Sequence, residues 1–520
     1  MKKNFKKYLI ASAAIATLLS TGCTEDQVLD LDPIASLSEN TAFTTPELIA
    51  NAINGMYNAA QVGLYNGSGR GYVWGAAYIE QNDFRGEDMV NTAAFFQYTY
   101  EGTYDATNTL NNVYYWVDGY RLINRCNIVI NGVQGAADKG IISQALADNY
   151  IGQAKFLRAI THFELLMQFS RPYSDNPTVN MGVPYRTTAL ENQAAIDAAY
   201  AVDRSTVAST YEKVLADLDE AESKISQTGD ITYATKNAAV AFKARVKLHK
   251  RDWNGVLNEI NKISSSYTLT PTPSGVFENN ATNTESIFSI RQSAVVNPGV
   301  NGAIGAIYKG RALGAISPII WNDKEWLEDD KRRKKSNNVD NTGDYMAYET
   351  ASGIFSNKYR DISTFTDFTP IIRFAEILLM QAEAEARLNG VTQVALDALN
   401  KVRNRALTNP ASQAYSLSSF TDKASFVKAV IKERRIEFIA EGKRWGDIHR
   451  LQNDDLAPID GIPAKMANGN PLLTSYGYGQ AVPNYSTKQI PYSSNKFIWP
   501  LPAMETDYNP TLKAQQNPGY

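Results

Sequence analysis

Two stretches of the chain repeat one pattern. Lys236 to His249 and Trp253 to Ser264 are separated by Lys250-Arg251-Asp252, and Ile371 to Leu388 and Thr392 to Leu407 are separated by Asn389-Gly390-Val391. Each reads as helix, turn, helix, and a helix with one apolar stripe is stable only when that stripe is buried against another element. Two further segments carry the same spacing. Phe156, Ile160, Phe163 and Met167 fall at i, i+4, i+7 and i+11, and Val207, Tyr211, Val214, Leu218, Ala221 and Ile225 line one face of a second helix. A third helix, Thr45 to Ala60, has Pro46 in its first turn and Glu47 near the positive end of its dipole. No heptad is sustained, which argues against a coiled coil. The chain must therefore stack antiparallel helices, and Ala239, Ala244, Ala382, Ala384 and Ala386 let neighbours approach closely.

The period between pairs is irregular, so the expected fold is an all-α body of divergent tetratricopeptide-like pairs. Polar, Gly- and Asn-rich segments separate them, chiefly Gly63 to Asn108, Ser170 to Asp203, Thr268 to Tyr359 and Asp454 to Tyr520. They far exceed the usual loop of about 4–6 residues, so they should hold structure or function of their own. Ligand binding is expected there. Residues 45–265 and 266–520 are read as N- and C-terminal regions packed as one body.

Ahead of them, Lys2, Lys3, Lys6 and Lys7 precede an apolar run from Leu9 to Leu19, and small residues follow to Gly22. This reads as a secretory signal, residues 1–22. Leu19-Ser20-Thr21-Gly22-Cys23 resembles a bacterial lipobox, with Leu one place further from the cysteine than usual. Cleavage would leave Cys23 as a lipidated first residue, and residues 23–44 as a tether. A membrane span needs about 20 apolar residues and the run is shorter, so the anchor would be acyl chains. Cys126 is the other cysteine, which leaves no intrachain disulfide in the processed chain and suits a buried small hydrophobe.

Lysine and arginine total 51 against 54 acids, a formal charge of −3, and removing residues 1–22 takes away four lysines and no acid. No basic field exists to bind nucleic acid. His162, His249 and His449 are too far apart for any local zinc pattern, and no metal or cofactor is expected. Asn338-x-Asp340-x-Thr342-Gly343-Asp344 with Glu349 imitates a calcium loop, but it begins with Asn and follows Lys331-Arg332-Arg333-Lys334-Lys335, so it reads as a solvated loop. No Gly-x-Ser-x-Gly elbow is present, and an enzyme is not expected.

Sugar binding makes a different demand: aromatic rings to stack on C–H faces, with amides, carboxylates or Arg for the hydroxyls. Two of the long segments supply both. Trp74, Asp83, Arg85, Asp88 and Tyr98 stand in the first, beside Tyr72, Tyr78, Phe95 and Phe96; Tyr308 and Trp321 stand in the second, beside Arg311, Asn322 and Trp326. Trp74, Asp83, Arg85, Asp88, Tyr98, Tyr308 and Trp321 are the candidate glycan-binding residues, with Trp74 and Trp321 expected on one exposed surface. For any single aromatic, packing between helices is the competing role.

Several motifs resemble the SusD/RagB family of outer-membrane nutrient-binding lipoproteins. They include Ala52-Ile53-Asn54-Gly55-Met56-Tyr57, Ala154-Lys155-Phe156-Leu157-Arg158-Ala159 and Asn400-Lys401-Val402-Arg403-Asn404-Arg405-Ala406. Most specific are Glu433-Arg434-Arg435-Ile436-Glu437-Phe438 leading to Gly442-Lys443-Arg444-Trp445-Gly446-Asp447, and the ending Trp499-Pro500-Leu501-Pro502 with Gln516-Asn517-Pro518-Gly519-Tyr520. Read alone, Glu433 to Asp447 is a charged helix and turn whose Arg and Glu side chains pair across an interface, a structural role. The resemblance implies about four tetratricopeptide-like pairs with excursions carrying a glycan site. It also implies a non-enzymatic lipoprotein, anchored in the bacterial outer membrane and facing the cell surface, that passes oligosaccharide to a SusC-like TonB-dependent transporter. Glu25-Asp26 behind Cys23 look like the family's surface-export signal. A peptide- or protein-binding RagB-like uptake lipoprotein is the alternative the resemblance leaves open.

Overall fold

The computed structural model describes residues 39–65, 68–278, 280–336, 343–482 and 485–520. The signal, Cys23, most of the tether, and residues 338–342 of the calcium-like segment lie outside the described residues.

Helix α1 (Pro46–Val62) begins where the Thr45 hydroxyl accepts the Leu48 N–H, and Pro46 presets its first turn. It stops at Gly63, whose φ of 56° is a left-handed conformation that glycine adopts without strain. After the short α2 (Ala76–Phe84) come α3 (Tyr114–Asp138), α4 (Gln144–Phe169), α5 (Val207–Lys224), α6 (Lys236–His249) and α7 (Trp253–Ile263). The C-terminal part adds α8 (Phe374–Asn389), α9 (Gln393–Ala406), α10 (Lys423–Glu437) and α11 (Arg444–Arg450). Ser143, Thr206, Thr235, Asp252, Thr392 and Asp422 each cap a helix by accepting a backbone N–H from its first turn.

The long helices pack largely in sequence order. Helix α3 lies on α1 and α4, α5 joins α4 to α6, α7 joins α6 to α8, and α9 and α10 lie against α8. Neighbour-on-neighbour stacking is what a helical repeat requires. The expected small residues make it possible: Ala239, Ala244, Ala382, Ala384 and Ala386 are all fully buried. Gly152 does the same for α4, since a Cβ there would stand 2.7 Å from Ile225 Cγ1 at the end of α5. Cys126 is buried within α3, and burial pushes its thiol up to about 12.

The frame is thus helical as expected, and the excursions add short strands. Strands β1 (Met89–Asn91), β3 (Gly314–Ile316), β4 (Lys335–Ser336), β5 (Ala347–Thr350) and β6 (Gly353–Ser356) form a sheet ordered β1-β3-β6-β5-β4. All its pairings are antiparallel except β4 with β5. Strand β2 (Ser286–Ile290) pairs separately with β7 (Thr369–Arg373), which runs directly into α8.

Where β7 meets α8, Arg373 is almost wholly buried and its guanidinium donates to Glu285 at 2.6 Å, Glu437 at 2.8 Å and Glu441 at 2.8 Å. Glu437 also accepts from Arg405 at 2.5 Å and from Arg332 at 2.8 Å. Despite its burial, these guanidiniums hold the Glu437 carboxyl far below the usual carboxylate range. The Glu433–Asp447 motif therefore has the pairing role read from its sequence: Arg434 holds Asp447, and Arg450 bridges Asp447 and Glu383. Removing one partner of such a group strands its neighbours' charges, so Glu437→Ala should lose about 3–5 kcal/mol of unfolding free energy. The half-exposed pair Lys335–Glu349 is the contrast. Glu349→Ala should cost about 0–1 kcal/mol, and urea titrations giving equal losses for the two variants would contradict this account.

Candidate functional site

The sheet sets two distant parts of the chain side by side. In β1 and β3, Met89 pairs with Ile316 and Asn91 with Gly314, and the ladder runs on as Thr92 N–H donates to Leu313 O at 3.1 Å. The Thr92 hydroxyl donates to Ala312 O at 2.7 Å. Residues 92–98 and 308–313 thereby share one edge of the body.

The loop 291–302 joins the same edge. Gly302 sits so close to Arg70 that a Cβ would meet the Arg70 backbone at 2.7 Å. Asn297 Nδ2 donates to Thr364 O at 3.4 Å, bringing in a further turn. On this face Val295 is 92% exposed and Val296, Val300 and Ile362 are also open to solvent. Phe95 is half-buried, with the Arg70 guanidinium 4.6 Å and the Arg311 guanidinium 5.1 Å from its ring centre. Arg311 donates to the exposed Asn301 at 2.8 Å. Below them Glu80, on α2, is only 3% exposed, and burial drives its carboxyl well above the usual range against the opposing fields of Arg311 and Arg70. Its side chain makes no hydrogen bond or ion pair among the described residues.

The other wall of loop 291–302 borders a cleft of about 470 Å³ lined by Asn54, Tyr57, Asn58, Tyr233, Arg291 and Val296. Tyr57 and Tyr233 meet edge to face with ring centres 4.9 Å apart. The Tyr57 hydroxyl donates to Gln153 at 2.9 Å, and Tyr233 donates to Asn54 at 2.9 Å. Gln61 Nε2 donates to Val296 O at 2.6 Å, fixing the loop to α1. Aromatic edges, amides and a guanidinium thus converge on a concave surface, the composition that polyhydroxylated or peptidic ligands require.

Most of the residues chosen from sequence lie elsewhere. Trp74 is 1% exposed, donates its indole N–H to Thr161 at 3.1 Å, and packs against Tyr78 and Phe242. Trp321 is 5% exposed, beside Trp326 and under Arg333. The expected exposed platform of Trp74 and Trp321 is therefore corrected: both rings fill the interior, and neither offers a face to a sugar. Asp83 accepts from Gly442 N–H and from Tyr308 hydroxyl, each at 3.0 Å, so the structure does join Asp83 to Tyr308, but inside the core. Arg85 is fully buried over Trp445 at 3.5 Å and donates to Gln168 and to Phe497 O; burial lowers its guanidinium to about 10. Asp88 is held by Arg435 at 2.5 Å. Only Tyr98, 49% exposed, reaches solvent as expected.

The physical reason is that these polar segments carry their own helix and strands, and their large side chains fill the space between the sheet and the helical stack. Phe95 and Arg311 stand in the two aromatic clusters read from the sequence. Arg70 and Glu80 were missed there; α2 is buried throughout and carries a second acid, Asp83, so nothing in its sequence singles out Glu80. Among the described residues, no group of three or more His, Cys, Asp or Glu side chains is placed to hold a metal ion. Nor is any described helix long and apolar enough to cross a membrane.

Comparison with known proteins defines the class. Residues 305–520 match the model of the SusD family, and residues 28–248 match a second model described as starch-binding associating with outer membrane. Two similar proteins, SusD-like protein P2 and SusD-like protein P38 of Formosa agariphila, are each 24% identical to the chain. The alignments cover 99% of this chain and 100% of P2, and 88% of this chain and 95% of P38. A SusD superfamily protein from Bacteroides fragilis superposes with a TM-score of 0.72 at 25% identity, over 90% of this chain and 99% of that one. Surface glycan-binding protein A from Bacteroides uniformis shares the fold, with a TM-score of 0.64 at 21% identity, over 91% of this chain and 99% of that one. The chain belongs to the SusD/RagB family.

Because Trp74 and Trp321 are core residues, truncation of either to Ala should lower stability by about 3–5 kcal/mol. Tyr98→Ala, at a half-exposed position, should melt within a few degrees of the parent. Thermal melts compare the three directly, and near-parental melting of Trp74→Ala would return it to the surface.

Proposed function

We propose that the protein is a glycan-binding lipoprotein of the outer membrane that captures oligosaccharides at the cell surface and hands them to a SusC-like TonB-dependent transporter. The observation that carries the binding step is the cleft of Tyr57, Tyr233, Asn54 and Asn58, with the face of Phe95, Arg70, Arg311 and Asn301 on the other side of the loop that walls it. Half-buried rings can stack on sugar C–H faces, and the amides and guanidiniums can bind hydroxyls, without any group having to react. The family model described as starch-binding associating with outer membrane, which spans residues 28–248, supports the ligand class and the membrane association. Ligand is held by contacts and released unchanged, so the protein is proposed not to be an enzyme and to need no cofactor.

A peptide- or protein-binding role is the second reading. The exposed Val295, Val296, Val300 and Ile362 favour it, because an apolar patch suits side chains better than hydroxyls.

Titration calorimetry with a panel of neutral and acidic oligosaccharides, beside a peptide pool, separates the two. We expect oligosaccharide binding, intact sugar recovered by chromatography, and at least tenfold weaker binding by Tyr57→Ala, since ~1.4 kcal/mol is one decade. Peptide binding without any carbohydrate binding would decide for the second reading. The anchor is tested separately. Cys23→Ala should move the processed protein from the membrane pellet to the soluble fraction in cells lacking the transporter, and continued pelleting would refute a lipid anchor at Cys23.

A further inference from the structure

Most arginines among the described residues are matched with acids. Arg373, Arg332, Arg405, Arg435 and Arg450 each meet at least two carboxylates within 4 Å. The candidate surface departs from this: Arg291, exposed in the cleft, has no such partner, and over Phe95 lies the pair Arg70 and Arg311. Neither forms an ion pair among the described residues, though both are partly shielded from water and both lie over the Phe95 ring. Arg311 spends one donor on Asn301. Arg70 has a buried Nε that donates to nothing among the described residues. A guanidinium is a planar fork of N–H donors that matches carboxylate, sulfate or phosphate oxygens. Ring stacking satisfies its face and leaves the fork's edge free.

The acid nearest in field to both is Glu80, which sits beneath them without contact and is 97% shielded, the converse of its 3% exposure. Burial favours its neutral form, so it does little to cancel two positive charges. The nearby Asp361 is turned inward on its own loop, where Ser363, Thr364 and Thr366 saturate it. The face therefore has positive charge, directional donors and a flat aromatic base, and lacks the internal acid found elsewhere.

Resting on the glycan-binding reading, we infer that Arg70 and Arg311 form a subsite for an acidic sugar, a uronate or a sulfated residue, with Phe95 orienting the two guanidiniums. The shared chemistry is an anionic oxygen pair on a pyranose ring. The anion is bound by the guanidinium edges while the neighbouring amides take hydroxyls.

The test uses the full processed chain in detergent and paired oligosaccharides. One arm sets oligogalacturonate against its methyl ester; the other sets a sulfated oligosaccharide against its desulfated form. At least one acidic member should bind tenfold or more tightly than its neutralised partner, and more weakly as salt rises. Arg70→Gln and Arg311→Gln, which keep the aliphatic stem and a polar tip but remove the charge, should each erase that preference while melting near the parent temperature. Arg311→Lys should retain part of it, and Glu80→Gln should not weaken acidic binding. Whichever arm shows the preference identifies carboxylate or sulfate. Equal or tighter binding of the neutral members overturns the acidic subsite and leaves glycan binding standing. So does a preference that survives both Gln variants. Absence of binding to every acidic member overturns the subsite as well, and if peptides alone bind, the glycan reading falls with it.

Discussion

The fold depends on a set of charges that water never reaches. Arg373 stands at the seam where strand β7 becomes helix α8, and it is gripped by Glu285 just ahead of strand β2 and by Glu437 and Glu441 from the end of α10 and the turn beyond it. Through Glu437 the same cluster reaches Arg405 on α9 and Arg332 at the sheet's margin. A buried charge of this kind adds little stability compared with apolar packing, yet it tolerates no substitute geometry, because any shift leaves an ion without its partner. That is the demand the sheet-bearing excursions must meet to lie against the helices. The same constraint recurs at a second node, where Glu383 and Asp447 are shared by Arg387, Arg434 and Arg450.

What could be read from the sequence follows from how each element is held. Helices α6 to α9 were legible because their apolar stripes repeat every third or fourth residue over many turns, and caps such as Thr235, Asp252 and Thr392 stand where the stripes begin. The role of Glu433 to Asp447 was legible because opposite charges at helical spacing have few other uses. The strands were not: three to five residues buried on both faces, as in Met89–Asn91 or Ser286–Ile290, give no alternation to detect.

The site was legible in outline and misread in detail. Segments 63–108 and 268–359 do meet, and at one edge they build the candidate face. The error lay in choosing the largest rings. In a segment that must also supply a layer of core, Trp74 and Trp321 have the most apolar surface to bury and are the first to turn inward. Phe95 and Arg311, in the same clusters, stayed near solvent because the turn after β1 and the run into β3 fix them at the sheet's end. Nothing in composition separates the two groups; the register of β1 with β3 does.

That register also sets an order in time. The long helices touch mostly neighbours in sequence, so the frame can assemble from local contacts as the chain is made. The pairing of Thr92 with Ala312 closes a span of 220 residues and waits for β3 to be synthesised. The face that meets a ligand is therefore finished late, after the scaffold beneath it, and a chain cut before residue 291 would carry Arg70 and Phe95 but neither the loop 291–302 nor the Arg311 that complete the surface.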